Sequence, residues 1–102
     1  MKIVAVTACP SGVAHTYLAA ESLAIAAKKN NCEIKVETQG SIGIENELTS
    51  QEIADAKVVI LTNDIGIKNV ERFKGKPVVT VKTGDCLKKS DAIIKKLIEK
   101  LG

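Results

Sequence analysis

The segment Cys9-Pro10-Ser11-Gly12-Val13-Ala14-His15-Thr16 gathers the residues of this chain whose types and spacing could do chemistry. It follows the apolar run Lys2–Ala8 and leads into an Ala-rich amphipathic stretch, so the Cys9 thiol falls between a strand and a helix N-terminus. A thiol in that position lies in the field of unpaired N–H groups, which favours the nucleophilic thiolate. The same N–H groups form an anion site, so a phosphoryl group carried on sulfur would be solvated by main chain. Gly12 allows a tight turn around such a group, and Pro10 holds the chain extended just past the thiol. Ser11 and Thr16 add hydroxyl donors, and His15, the only histidine, adds an imidazole N–H or a positive charge. A first helical turn ordinarily welcomes Asp or Glu, yet residues 11 to 17 contain neither, which leaves this N-terminus to an outside anion.

A cysteine at a strand end can also be an inert small hydrophobe. Here Pro, Gly, the single His and an acid-free helix start converge on one loop, which favours chemistry at Cys9. Cys32 and Cys86 have no such company and read as core or surface thiols. Three cysteines at these spacings match no zinc pattern, and neither a metal nor a cofactor is expected. Five residues separate Cys9 from His15, the spacing of the Cys-x5-Arg loop of protein tyrosine phosphatases, whose Arg clamps phosphate with a bidentate fork. An imidazole cannot supply that fork, and the only arginine, Arg72, lies far along the chain. A thiophosphate could form in this loop without the full apparatus for rapid hydrolysis, which suits a carrier. The alternative is a low-molecular-weight phosphatase or arsenate-reductase-like enzyme using Cys9, against which stand the missing Arg and the lack of an evident resolving cysteine. A nucleotide-binding module lacks its fingerprint, since no Gly-x-Gly-x-x-Gly follows the first strand.

Four apolar runs must position the loop. Lys2–Ala8 and Lys57–Thr62 are nearly continuous, as strands buried on both faces are. Glu33–Thr38 alternates, with Ile34 and Val36 on one side and charged residues on the other, and Lys76–Val81 carries Pro77, so these two are expected at edges. Helices are expected over Val13–Lys29, with Tyr17, Ala20, Ala24 and Ala27 at helical spacing, and from Thr49, with Glu52 at capping-box spacing. A short turn over Lys68–Phe73 and a last helix over about Asp85–Leu101, with Leu87, Ile94, Leu97 and Leu101 inward, complete the pattern. Alternating β and α elements call for a three-layer αβα sandwich, Rossmann-like, with a four-stranded parallel sheet of order 2-1-3-4. Ligands bind such a sheet beyond the strand C-termini where the winding reverses, and Cys9 follows the first strand there.

The length of 102 residues suits one domain, 1–102, and a 45% hydrophobic share can build its core from Val, Ile, Leu and Ala. Aromatic residues at 2% speak against stacking of single-stranded nucleic acid. The net charge of +3 suits phosphorylated or acidic partners only weakly, most of the lysines being read as a solvated face. No apolar run approaches the ~18 residues of a membrane span, and no signal peptide is evident, so a cytoplasmic chain with reduced thiols and no direct membrane insertion is expected.

At these residues the sequence resembles the enzyme IIB (EIIB) component of the bacterial sugar phosphotransferase system, in its fructose group. The resemblance is carried by Cys9-Pro10-Ser11-Gly12-Val13-Ala14-His15-Thr16, by Val36-Glu37-Thr38-Gln39-Gly40-Ser41-Ile42-Gly43 and by the Glu71-Arg72-Phe73 turn before Gly75. It spans essentially the whole chain; its one departure is Ser11 where Thr is commoner, a hydroxyl for a hydroxyl. The resemblance implies that Cys9 is a nucleophile that takes a phosphoryl group from a phosphohistidine on enzyme IIA (EIIA). It would give that group to a sugar, fructose at its 1-position, held in the membrane-embedded enzyme IIC (EIIC) at the inner face of the membrane. Ser11 to Thr16 would cradle the phosphate, and the loop Gln39–Gly43 is open to two readings, a plain turn or a rim of the docking surface. Asp64, just past the third run, reads as a turn residue.

Overall fold

The apolar run at each end of the expected reversal becomes a central strand. In the computed structural model, which describes residues 1–8, 13–40, 43–63 and 66–101, β1 (Lys2–Thr7) is parallel to β2 (Glu33–Gly40) on one side and to β4 (Val58–Thr62) on the other. Paired on both edges and covered on both faces, β1 and β4 bury nearly every residue, which is why their sequences lack polar alternation. β5 (Val78–Val81) closes one edge beside β4; the Pro77 carbonyl just ahead of it accepts from the Val59 N–H, a bond that needs no donor from proline.

The four expected strands lie in the expected order, and one further strand joins them. β3 (Gly43–Glu45) pairs antiparallel with the end of β2, giving a mixed sheet β3-β2-β1-β4-β5, so β2 is an inner strand and not an edge. Three exposed residues lack the periodicity that announces a strand; the register Gly40↔Gly43 makes it, and Gly43 takes φ of +112°, which a side chain would resist.

α1 (Val13–Lys29) and α3 (Thr83–Leu101) cover one face of the sheet, over Ile3, Ala5, Val36, Val58 and Ile60. α2 (Ser50–Asp55) and a 3₁₀ turn (Val70–Phe73) cover the other, where Ile53 and Phe73 meet Val4, Val6, Val59 and Leu61. Thr49 caps α2 through the expected capping box with Glu52, whose carboxyl is held down to about 2, mainly by the Lys35 ammonium and the Thr49 N–H. At the end of α1 the left-handed position is Asn31, and the Asn30 amide reaches Asp91 of α3. α3 starts two residues earlier than its sequence pattern suggests and bends at Lys89.

The buried face of α1 is offset from the expected row. Thr16, Ala19, Leu23, Ala26 and Ala27 face the sheet, whereas Tyr17 and Ala24 are exposed and Ala20 is half-buried. Alanine marks both faces of this helix, so the apolar period is ambiguous in sequence; the single Leu that points inward, Leu23, settles the rotation. Tyr17 turns instead to β3, donating its hydroxyl to the Glu45 carboxylate. Leu23→Ala is therefore expected to cost about 2–5 kcal/mol in urea denaturation. Ile25→Ala, at a side chain 60% exposed, should change stability by no more than about 0.5 kcal/mol.

Candidate functional site

The C-terminal ends of β1, β2 and β4 and the N-terminus of α1 meet at one end of the sheet, where the winding reverses. Of the residues the sequence points to, Cys9, Pro10, Ser11 and Gly12 lie outside the described residues, as do Ser41, Ile42, Asp64 and the side chains of Val13 and Leu101. Val13 opens α1, Ala14 and His15 are exposed in its first turn, and Thr16 is buried there. The first turn of α1 contains no acidic residue.

Beneath this end the core changes from aliphatic to hydroxyl in a single layer. Thr7 and Thr62 end their strands and Thr38 lies two residues from the end of β2, on the face that α1 and α3 cover, and Thr16 of α1 and Thr83 of α3 join them, all buried. The Thr7 hydroxyl donates to the Thr16 carbonyl at 3.1 Å, fixing the first turn of α1 to the end of β1. The Thr62 hydroxyl accepts from the Ala8 N–H at 2.9 Å and donates to the Ala8 carbonyl at 3.1 Å, while the Thr83 hydroxyl reaches the same carbonyl at 3.4 Å. The hydroxyls of Thr16 and Thr38 are buried and have no hydrogen-bond partner among the described residues.

On the opposite face the polar element is an ion pair. Glu37 is fully buried, and its carboxylate meets both terminal nitrogens of Arg72, at 2.7 and 2.6 Å. It also accepts from the Leu48 N–H and the Gln39 amide. Burial pushes its carboxyl up, but the Arg72 fork, Gln39 and the Leu48 N–H outweigh burial and leave it below its ordinary value. Gln39 completes the lock: its amide donates to the Lys68 carbonyl and its carbonyl accepts from the Lys68 N–H, so β2 is tied to the segment that follows β4.

Sequence reading alone missed this network and the threonine layer. By its alternation Glu37 falls on the charged side of an expected edge strand, and its partner lies 35 residues away. The signal for the threonines was present, since the runs KIVAVT, EIKVET and VVILT each end in Thr.

Comparison with known proteins shows the family. The family model described as the lactose/cellobiose-specific IIB subunit of the phosphotransferase system matches residues 4–96. The chain is 64% identical over 96 residues, 94% of its length and 91% of the relative's, to the PTS system fructose-like EIIB component 2 of Escherichia coli K12. It superposes with a TM-score of 0.89 and 54% identity on a domain of the fructose-specific IIABC component of Borrelia burgdorferi, covering 96% of this chain and 93% of that one. An arsenate reductase of Corynebacterium glutamicum, at 14% identity and a TM-score of 0.56, covering 98% of this chain and 61% of that one, shares the fold alone. The chain belongs to the PTS IIB family, and its role is phosphotransfer in sugar uptake. Among the described residues no helix is long and apolar enough to cross a membrane.

The Glu37–Arg72 pair gives a test of the site's framework. Because the folded carboxyl sits below its ordinary value of 4.5, the pair stabilises fully above that pH, and the contribution is lost as pH falls through the lower folded value. Arg72→Met should lose about 3–5 kcal/mol in urea denaturation at pH 7, because Glu37 is left charged and buried. The deficit should shrink as pH falls through that lower folded value, below which the carboxyl is protonated in both states. A deficit independent of pH would contradict the buried charge.

Proposed function

We propose that Cys9 is the phosphoryl carrier. Its thiolate sulfur attacks the phosphorus of a phosphohistidine on an EIIA domain; the S–P bond forms, the P–N bond breaks, and the imidazole keeps the electron pair. In the second step a sugar hydroxyl held in a membrane EIIC attacks that phosphorus, the S–P bond breaks, and the thiolate is restored as the hydroxyl proton passes to a base of the receiving site. Imidazole and thiolate are both good leaving groups, so the first transfer runs either way with a small free-energy difference, and catalysis is positioning and charge stabilisation. In this reading the main-chain N–H groups over Ser11 to His15, the Ser11 and Thr16 hydroxyls and the His15 imidazole cradle the phosphate, with Pro10, Gly12, Val13 and Ala14 shaping the loop. Residues 1–102 act as one EIIB domain, at the inner face of the membrane through EIIC, and fructose, phosphorylated at its 1-position, is the sugar.

The observation that carries the choice of carrier over hydrolase is Arg72. A Cys-x5-Arg phosphatase needs a guanidinium fork on the phosphate, and the one arginine of this chain spends its fork on Glu37, at 2.6 and 2.7 Å. The acid-free first turn of α1 supports phosphate at that N-terminus. The Borrelia relative's name, a IIABC component, supports EIIA and EIIC as the partners.

Intact-mass measurement after incubation with a phosphorylated EIIA domain tests the assignment. One labile phosphoryl group should appear on the chain, persist in Cys32→Ser and Cys86→Ser, and vanish in Cys9→Ser. Phosphorylation of Cys9→Ser, or robust release of inorganic phosphate from an aryl phosphate by the unmodified protein, would overturn it.

A further inference from the structure

We infer that Thr62 is a positioning residue for phosphoryl transfer: its hydroxyl holds the Ala8 main chain and so sets where the nucleophile stands. The inference rests on the reading of Cys9 as the carrier.

In a parallel sheet a strand residue sends both its N–H and its C=O to the same neighbouring strand, where two main-chain groups receive them. The register of β1 with β4 runs as far as Val6↔Leu61. At Ala8, fully buried, one side-chain hydroxyl does the work of both main-chain partners, accepting the N–H at 2.9 Å and donating to the C=O at 3.1 Å. The Asn63 N–H meanwhile continues the parallel ladder from β4 to β5, reaching the Val81 carbonyl at 2.9 Å as the Val59 N–H reaches that of Pro77. A threonine hydroxyl has a single proton, and here the Ala8 carbonyl takes it. Thr62 therefore acts through Ala8 and not on the phosphate.

The Ala8 carbonyl belongs to the peptide unit that joins Ala8 to Cys9, and that unit is planar. Orienting the carbonyl sets the direction in which the chain leaves the sheet toward the nucleophile. The grip is made twice over at the carbonyl, by Thr62 at 3.1 Å and Thr83 at 3.4 Å, and once at the N–H, by Thr62 alone among the described residues. In-line transfer between two proteins requires the attacking atom at near-attack distance, and misplacement by about 1 Å can cost 10²-fold in rate. Removing the Thr62 hydroxyl leaves a buried N–H unpaired, and relief of that penalty pulls Ala8, and the residue after it, out of place.

The layer contains its own control. Thr38 lies in the same row, equally buried, and its hydroxyl has no partner to lose among the described residues. The test is the rate of phosphoryl arrival on the full chain as a function of the concentration of a phosphorylated EIIA domain, with rates divided by the folded fraction from circular dichroism. Thr62→Val, nearly isosteric, should lower kcat about 10- to 100-fold with KM within about twofold. Thr62→Ser, which keeps the hydroxyl, should recover most of the rate, and Thr38→Val should match the unmodified protein. Should Thr62→Val fail to fold, Thr83→Val, which weakens the same carbonyl contact, should still lower kcat by about threefold. An undiminished kcat in Thr62→Val, a Thr62→Ser as slow as Thr62→Val, or an equal loss in Thr38→Val would overturn the positioning role and leave Cys9 as carrier untouched. Phosphorylation of Cys9→Ser in the same assay would instead overturn the carrier reading, and the role of Thr62 with it.

Discussion

A strand paired on both edges and covered on both faces has to end inside the protein, and its last peptide groups must then find partners other than water. β1 is that strand, and the requirement organises everything at its C-terminal end. An unpaired buried N–H or C=O costs about 1–3 kcal/mol, so the aliphatic core cannot simply continue to the surface. The last layer changes to threonine on the α1 and α3 face, with Thr62 and Thr83 meeting Ala8 and Thr7 meeting the first turn of α1. Threonine suits the layer because its methyl continues the packing of Ile and Val while its hydroxyl serves the main chain. A reactive loop that follows such a strand starts from a fixed point.

The opposite face meets the same requirement with charge. Glu37 would be costly in that position without a partner, and Arg72 and the Leu48 N–H repay the burial by saturating its oxygens. The arrangement also removes the chain's only guanidinium from any part in phosphate chemistry. With Cys9 as the proposed carrier, phosphate recognition would fall to main-chain N–H groups, hydroxyls and one imidazole, a set that can solvate a phosphoryl group without driving its hydrolysis. A relay that must hold its cargo until an acceptor arrives needs that balance, and structure and electrostatics are here one economy of residues.

Much of this was legible in the residues. Continuous apolar runs announce β1 and β4 because burial on both faces removes polar alternation, and the bounds of Val13–Lys29 are legible because Pro10 and Gly12 precede it in the sequence and two lysines and two asparagines end it. The capping box of Thr49 and Glu52 was visible because it is local. What stayed hidden was non-local or degenerate. β3 is three exposed residues whose strand character comes from pairing with β2. The rotation of α1 was ambiguous because alanine occupies both of its faces, and Tyr17 is committed to Glu45 instead of the core. Glu37 read as a surface charge because the strand alternates, and only contact with Arg72 across 35 positions makes its burial affordable. Cys9 was singled out by its neighbours in sequence, whereas the side chains that hold Ala8 come from 54 and 75 residues further on.

Whether the phosphoryl group travels on sulfur is read most directly from the ³¹P NMR spectrum of the chain held with a phosphohistidine-bearing EIIA domain and no acceptor sugar. One protein-bound resonance is expected, with the shift of a thiophosphate monoester, and it should collapse when thiol-specific alkylation of Cys9 precedes phosphorylation. A phosphoramidate resonance on this chain, which would place the group on His15, or an unbound inorganic phosphate signal growing at the expense of the donor, would contradict carriage on sulfur.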